Sequence, residues 1–294
     1  LAWLALERLV AAVGRRAIGS GVRFARDGAL RTLAAGLALL CASAIGLGLL
    51  GLVVWSVAGP WRFPDALPAS LSLAAWSDAW RGTRALIATT VTIALVATLA
   101  ATAIALACLE NESRRGRTPG ARALSLLYLP IVVPQVSFLF GLQVLLLAAG
   151  LRPSLGTVAF AHLIFVLPYV LLSLGDTWRA QDPRYARVAA ALGASETRIF
   201  WRVRLPMLLP AVLTAAAVGF AVSVGLYLPT LLIGAGRLPT VTTEAIALAA
   251  GGSRSLIGVM AVWQMLLPLA AFTIALAVPA LKARRFALPG RAAA

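Results

Sequence analysis

Long apolar stretches alternate with short polar ones along the whole chain. Each approaches or exceeds the ~20 residues that cross the hydrocarbon core of a bilayer. Together they predict six membrane helices, at about 33–57, 84–108, 123–148, 156–175, 207–233 and 256–281. The fold class that follows is all-α, a polytopic bundle of transmembrane helices. One polar segment, between the fourth and fifth spans, has a helical pattern of its own. Tyr185, Val188, Ala189 and Leu192 fall at i, i+3, i+4 and i+7, one apolar face of a short helix. Asp182 can cap that helix and Pro183 suits its first turn. Gly193 supplies a left-handed stop. Ser195 can cap a second helix, with Glu196 well placed in its first turn, and that helix is expected to end at Pro206. Residues 183–206 thus predict a helix–turn–helix, a shape suited to docking rather than to catalysis.

Polar residues inside the spans are few. The third span carries Pro130, Pro134 and Gln135. Prolines interrupt the helical hydrogen-bond ladder, and the freed carbonyls need a buried or wet environment. Gln135 at membrane depth is expected to face protein or a cavity, as is Gln264 in the sixth span. His162, the only histidine, predicts a hydrogen-bonded contact between helices, since a proton relay would need a carboxylate nearby and no span contains one. The threonines of the second span, among them Thr89, Thr90, Thr92, Thr98 and Thr102, either bond back to their own helix or mark a helix buried among others. Trp55, Trp61, Trp76 and Trp80 flank or populate segment 59–83, where aromatic side chains anchor at headgroup level. Gly234-Ala235-Gly236 follows no strand and lacks the Lys-Ser or Lys-Thr of a P-loop, so this chain is not itself an ATPase.

Composition sharpens the picture. The chain is 61% hydrophobic and 12% charged, with a net charge of +16. Such a basic balance could suggest nucleic acid, but its distribution argues otherwise. Segments 1–32, 109–122, 176–206 and 282–294 lie on one side of an even number of spans and hold 20 of the 26 Lys and Arg. That bias places both termini and the 176–206 loop in the cytoplasm, with anionic lipid headgroups as partners for the charge and no role in nucleic-acid binding. Cys41 and Cys108 both fall in spans and read as small buried apolar residues rather than a disulfide framework. With one His and two Cys no metal site is expected, and no cofactor. Residues 1–32 begin apolar and turn basic, the reverse of a signal peptide. They are either the end of a preceding span in a longer chain or an interfacial amphipathic helix.

The 183–206 segment resembles the signature loop of permease subunits of binding-protein-dependent ABC importers, which have a MetI-like fold. The family pattern is Glu-Ala-Ala, three residues, Gly, nine residues, Ile-x-Leu-Pro. Ala189, Gly193, Leu205 and Pro206 match it, Val203 is a conservative match, and the leading Glu-Ala-Ala falls on Arg187-Val188-Ala189, with the acidic position reversed. The resemblance assigns these residues, with Leu192 and Ala194 beside the glycine, to contact with a cytoplasmic ATPase. A second stretch, residues 224–252, looks like the corresponding part of double-length permeases grouped with thiamine and ferric-iron importers and of the Ynj-type group. It does so through Tyr227-Leu228-Pro229-Thr230, Gly234-Ala235-Gly236-Arg237 and Thr242-Thr243-Glu244. On that likeness the chain reads as a C-terminal half whose fifth span lines a translocation path. Ser223, Tyr227 and Thr230 are the path candidates there, joined by Gln135 and Gln264. Glu244, Arg237 and Arg254 are candidates to meet a binding protein or one another. The resemblance implies a bacterial inner-membrane importer permease, not an enzyme, working with ABC ATPase subunits, a second permease half and an extracytoplasmic solute-binding protein. The alternative is a secondary transporter or channel without an ATPase.

Overall fold

The computed structural model describes residues 2–19, 28–61, 65, 68–251 and 253–286. Part of the basic 1–32 segment and residues 287–294 of the basic tail lie outside them. The chain divides into two compact units, Leu1–Gly51 and Leu52–Ala294. The first holds α1 (Ala2–Gly19) and most of α2 (Gly28–Val57). Leu33, Leu39 and Ile45, about 120° apart around α2, all stand exposed. A helix about 45 Å long and apolar all round suits hydrocarbon, not water.

The second unit is built on α3 (Ala74–Arg115), α6 (Leu155–Arg179), α9 (Leu205–Gly225) and α12 (Arg254–Phe286). On α3, Ala94, Ala97, Ala101 and Ala105 recur at three- and four-residue spacing and are all buried. Lipid is as apolar as a side-chain core, so helices in it associate where small residues let backbones approach. Gly219 marks one such close approach. A Cβ there would lie 2.7 Å from Val170 Cγ2 and 3.1 Å from Val166 Cγ1 on α6, and 3.3 Å from Thr98 Cγ2 on α3. Toward one end the core continues through Leu109, Leu174, Trp178 and Leu208. Toward the other it joins Ile93, Leu139, Leu142, Phe165 and Ile233.

Three features depart from straight spans. The apolar stretch 123–148 forms two helices, α4 (Ala121–Val132) and α5 (Gln135–Ala148), bent by 101°. The break is where Pro134 forces it: Val133 before the proline is extended (φ −74°, ψ 140°), as pre-proline residues prefer. The stretch 207–233 is helical only to Gly225, and a separate short helix, α10 (Leu228–Gly234), follows. Finally, α3 begins well before residue 84 and is about 63 Å long, twice the hydrocarbon thickness. Trp76 and Trp80 are therefore helical, and both pack on Trp263 of α12, with ring centroids 6.1 and 6.3 Å apart. The loop before α3 is closed by one antiparallel bridge, Ala58 to Leu71.

Both readings of the second-span threonines are realised. Thr89, Thr90 and Thr92 donate to carbonyls one turn back on α3. Thr98 and Thr102 are buried among neighbouring helices, and their hydroxyls have no partner among the described residues. The two cysteines, expected to be buried, are both exposed. A small apolar thiol can face hydrocarbon at little cost, because lipid is no more polar than a core.

Candidate functional site

Between α6 and α9 the chain forms the hairpin. Helix α7 (Arg184–Ala191) is started by Asp182, whose Oδ1 accepts the Arg184 N–H at 2.8 Å. It stops at Gly193, where φ is +83°. There the Gly193 N–H donates to Ala190 O (2.9 Å) and the Ala194 N–H to Ala189 O (3.0 Å), which satisfies carbonyls the ending helix leaves free. Ser195 caps α8 (Glu196–Ile199) by accepting the Arg198 N–H. The second helix does not end at Pro206. It runs without interruption from Glu196 to Gly225, through a π turn at Phe200–Arg204 in which the Leu205 N–H reaches back to Phe200 O. The wider turn accommodates Pro206, which has no N–H to give and whose ring would crowd a regular turn.

The hairpin keeps apolar side chains in the open. Leu192 is 83% and Trp201 61% exposed, and Tyr185 and Val188 are exposed beside them. Arg187 and Gly193 are also exposed, while Ala189 and Ala194 are half-buried. Val203 and Leu205 turn partly inward, and Pro206 is exposed. Both roots of the hairpin are held by the end of α3. Glu110 accepts from Arg204 Nη1 through Oε2 and from Arg114 Nε through Oε1, each at 2.7 Å. Glu112 takes two N–H bonds from Arg179, at 3.1 and 3.4 Å. Trp178 Nε1 donates to Ser113 Oγ at 3.0 Å. Behind the hairpin, the Trp178 ring lies tilted against Phe200, Phe200 meets Trp201 edge to face, and Ile199 is buried.

The break between α9 and α10 gathers buried polar groups. His162 of α6 is bonded at both nitrogens, Nδ1 to Ser223 Oγ at 2.8 Å and Nε2 to Thr230 Oγ1 at 2.9 Å. Thr230 also donates to Leu226 O at 2.8 Å. Its single proton is then spent, so Nε2 carries the imidazole N–H and Nδ1 accepts from Ser223. Thr242 donates to Val224 O, a carbonyl that the end of α9 leaves free, and Thr90 of α3 accepts the Val241 N–H at 3.0 Å. A helix broken at this depth must have its backbone groups satisfied from within, and these side chains do it.

Of the five path candidates, Ser223 and Thr230 meet at His162, while Tyr227, between them on the break, is half-buried. Gln135 and Gln264 are half-buried on α5 and α12 and are not part of this cluster. Thr242 bonds back to the end of α9, while the role of Thr243 is local. Thr243 forms a reciprocal cap with Thr240 at the start of α11 (Val241–Ala249). Among the described residues no ion pair joins Glu244, Arg237 and Arg254; the Arg254 guanidinium stands 6.0 Å over the Trp55 ring. Glu110, Arg204 and Trp178 were not singled out as site residues from sequence. Their only signal was a carboxylate just past the second span and an arginine just before the fifth.

Five helices among the described residues are long and apolar enough to cross a membrane, or six if the bent α4–α5 pair is one span. With a buried polar node at a broken span and a rigid hairpin at one end, they define a multi-pass membrane protein of the transporter kind. Within that class the chain belongs to the family of binding-protein-dependent transport system inner membrane components, whose pattern matches residues 100–281. It is 41% identical over 183 residues to the inner membrane ABC transporter permease protein YnjC of Escherichia coli, covering 62% of this chain and 34% of that protein. It is 34% identical over 142 residues to the molybdenum transport system permease protein ModB of Mycobacterium tuberculosis, covering 46% and 54%. Over 110 residues it is 31% identical to the spermidine/putrescine transport system permease protein PotC of Haemophilus influenzae, covering 37% and 43%. The chain thus spans about a third to a half of the length of these relatives.

Proposed function

We propose that this chain is permease machinery of an ABC-type importer of the bacterial inner membrane. In this reading its helices form part of a solute path, and residues 183–206 dock a cytoplasmic ATPase. A second permease half and an extracytoplasmic binding protein complete the assembly. The observation that carries the reading is the hairpin itself. It combines an exposed apolar face with a stiff turn and two roots fixed to the bundle. A docking surface must be apolar to bind and rigid to transmit movement, and a solvated loop needs neither property. The path candidates Gln135, Ser223, Tyr227, Thr230 and Gln264 are neutral. They form neither the ring of carboxylates that suits a metal ion nor the basic ring that suits an oxyanion. The relatives are named for molybdenum and for polyamines, two unlike cargoes, so their names assign none to this chain.

The test is purification in mild detergent from native membranes, with intact masses of all that remains bound. A nucleotide-binding subunit is expected in stoichiometric amount. Leu192→Asp removes about 1.5–3 kcal/mol of apolar burial from the contact, so recovery of that subunit should fall about 10- to 100-fold. A chain that emerges alone, even after crosslinking, would overturn the reading in favour of a transporter without an ATPase.

A further inference from the structure

We propose that Glu110 is a positioning residue that makes α3 move with the hairpin, so that α3 carries hairpin displacement to the broken fifth span. The inference rests on the hairpin being the ATPase contact. Glu110 sits at the end of α3 with its side chain only 9% exposed, and its partner Arg204 is 14% exposed. Arg204 closes the π turn at the hairpin's second root. A buried ion pair contributes little net stability compared with apolar packing, but it holds one geometry where packing tolerates sliding. Its two bonds are also unlike. Arg114 lies one turn away on the same helix and links nothing, whereas Arg204 joins two elements.

What lies along α3 from Glu110 gives the link a destination. Twenty residues toward the N-terminus, about 30 Å along the helix axis, Thr90 accepts the Val241 N–H. The next residue, Thr242, holds Val224 O at the end of α9. A contiguous chain of rigid helix and hydrogen bonds therefore runs from the hairpin root, through Arg204 and Glu110, to the break where His162 ties Ser223 to Thr230. Coupling between distant sites needs such a physical connection. The other root contacts, Glu112 with Arg179 and Ser113 with Trp178, fix α6 to the same end of α3.

The test uses the permease–ATPase complex in lipid nanodiscs, with Cys41 and Cys108 replaced by alanine. Spin labels go on cysteines introduced at Arg152 and Arg237, both exposed and the latter just beyond α10. The distance between them is measured without nucleotide and after trapping with ATP and vanadate. Trapping should shift it in the otherwise unaltered chain. Arg204→Met should keep the ATPase bound but cut the shifted fraction at least threefold. Arg204→Lys, which can still give one N–H to Glu110, should restore it, and Arg114→Met should leave it unchanged. Should Arg204→Met fail to fold, Glu110→Gln, which keeps shape and loses charge, is expected to show the same loss. A full shift in Arg204→Met or Glu110→Gln overturns the proposal. So does equal loss in Arg114→Met, which would mean that the carboxylate only needs satisfying. No shift in the unaltered complex overturns it too, while the docking reading stands. If no ATPase binds the unaltered chain, the docking reading falls and this inference with it.

Discussion

His162 shows how a single side chain serves two helices in a membrane. Its ring bonds Ser223 before the break and Thr230 after it, so the cost of losing it depends on what those hydroxyls do next. Thr230 already donates to Leu226 O and keeps that bond. Ser223 can turn its proton to a carbonyl of its own helix. Interhelical hydrogen bonds in bilayers average about 0.6 kcal/mol, far below the cost of orphaning a group in a dry core. His162→Ala should therefore destabilise the bundle by about 1–2 kcal/mol including the cavity it leaves, measured as a lowered midpoint in detergent denaturation. An unmoved midpoint would mean that water replaces the ring. A lone histidine in a span without carboxylates was readable as a helix contact. Its partners were not, because nothing in the spacing of Ser223 and Thr230 says that their hydroxyls turn toward α6 rather than toward a path.

At the scale of elements, the hairpin was legible because its signals are local. A cap, an apolar face at helical spacing and a glycine stop need no tertiary information, and the helices follow them to Gly193. The breaks at Val133–Pro134 and after Gly225 were harder. Hydropathy is continuous across both, so a count of apolar residues sees one span in each place. Pro134 at least announces a disrupted ladder, but after Gly225 the freed carbonyls are taken up by the hydroxyls of Thr242 and Thr230, which hydropathy does not register. The π turn was invisible for a similar reason: Pro206 reads as a helix end unless the turn before it widens. Gly193 offers the clearest element-level test. A β-branched residue at φ +83° costs about 1–3 kcal/mol, enough to raise the open fraction of the turn about 5- to 100-fold. In Gly193→Val, trypsin should cut between Arg184 and Arg198 faster by that factor, while the amount inserted in the membrane stays constant. Unchanged cleavage would show that the neighbouring contacts, not the turn, hold the hairpin.

For the whole molecule, charge and shape point the same way. Within the second unit, segments 109–122 and 176–206 hold ten arginines and meet at the hairpin end, for which the positive-inside rule predicts the cytoplasmic side. In inverted and right-side-out vesicles of a chain lacking Cys41 and Cys108, a cysteine at Arg187 should react with an impermeant maleimide only from the cytoplasmic side. One at Arg81 should react only from the other. Reaction of both from one side would mean that α3 does not cross the bilayer. The overall class was plain from apolarity, and the family from a few positions at fixed spacing. How α3 ties both roots of the hairpin was not, since residues such as Glu110 and Arg204 lie far apart in the chain. The π turn adds a consequence about orientation. An α-helix advances about 100° per residue, and the turn holds one residue more than a regular helix would. The wider turn spreads nearly the same rotation over that extra residue, so deleting one there would restore a regular helix with Leu192 facing much as before, whereas deleting one between Leu205 and Gly225 would swing it through more than a quarter circle against the spans. The π turn thus acts as slack in the register, taking up one residue so that the apolar patch keeps its bearing on the bundle.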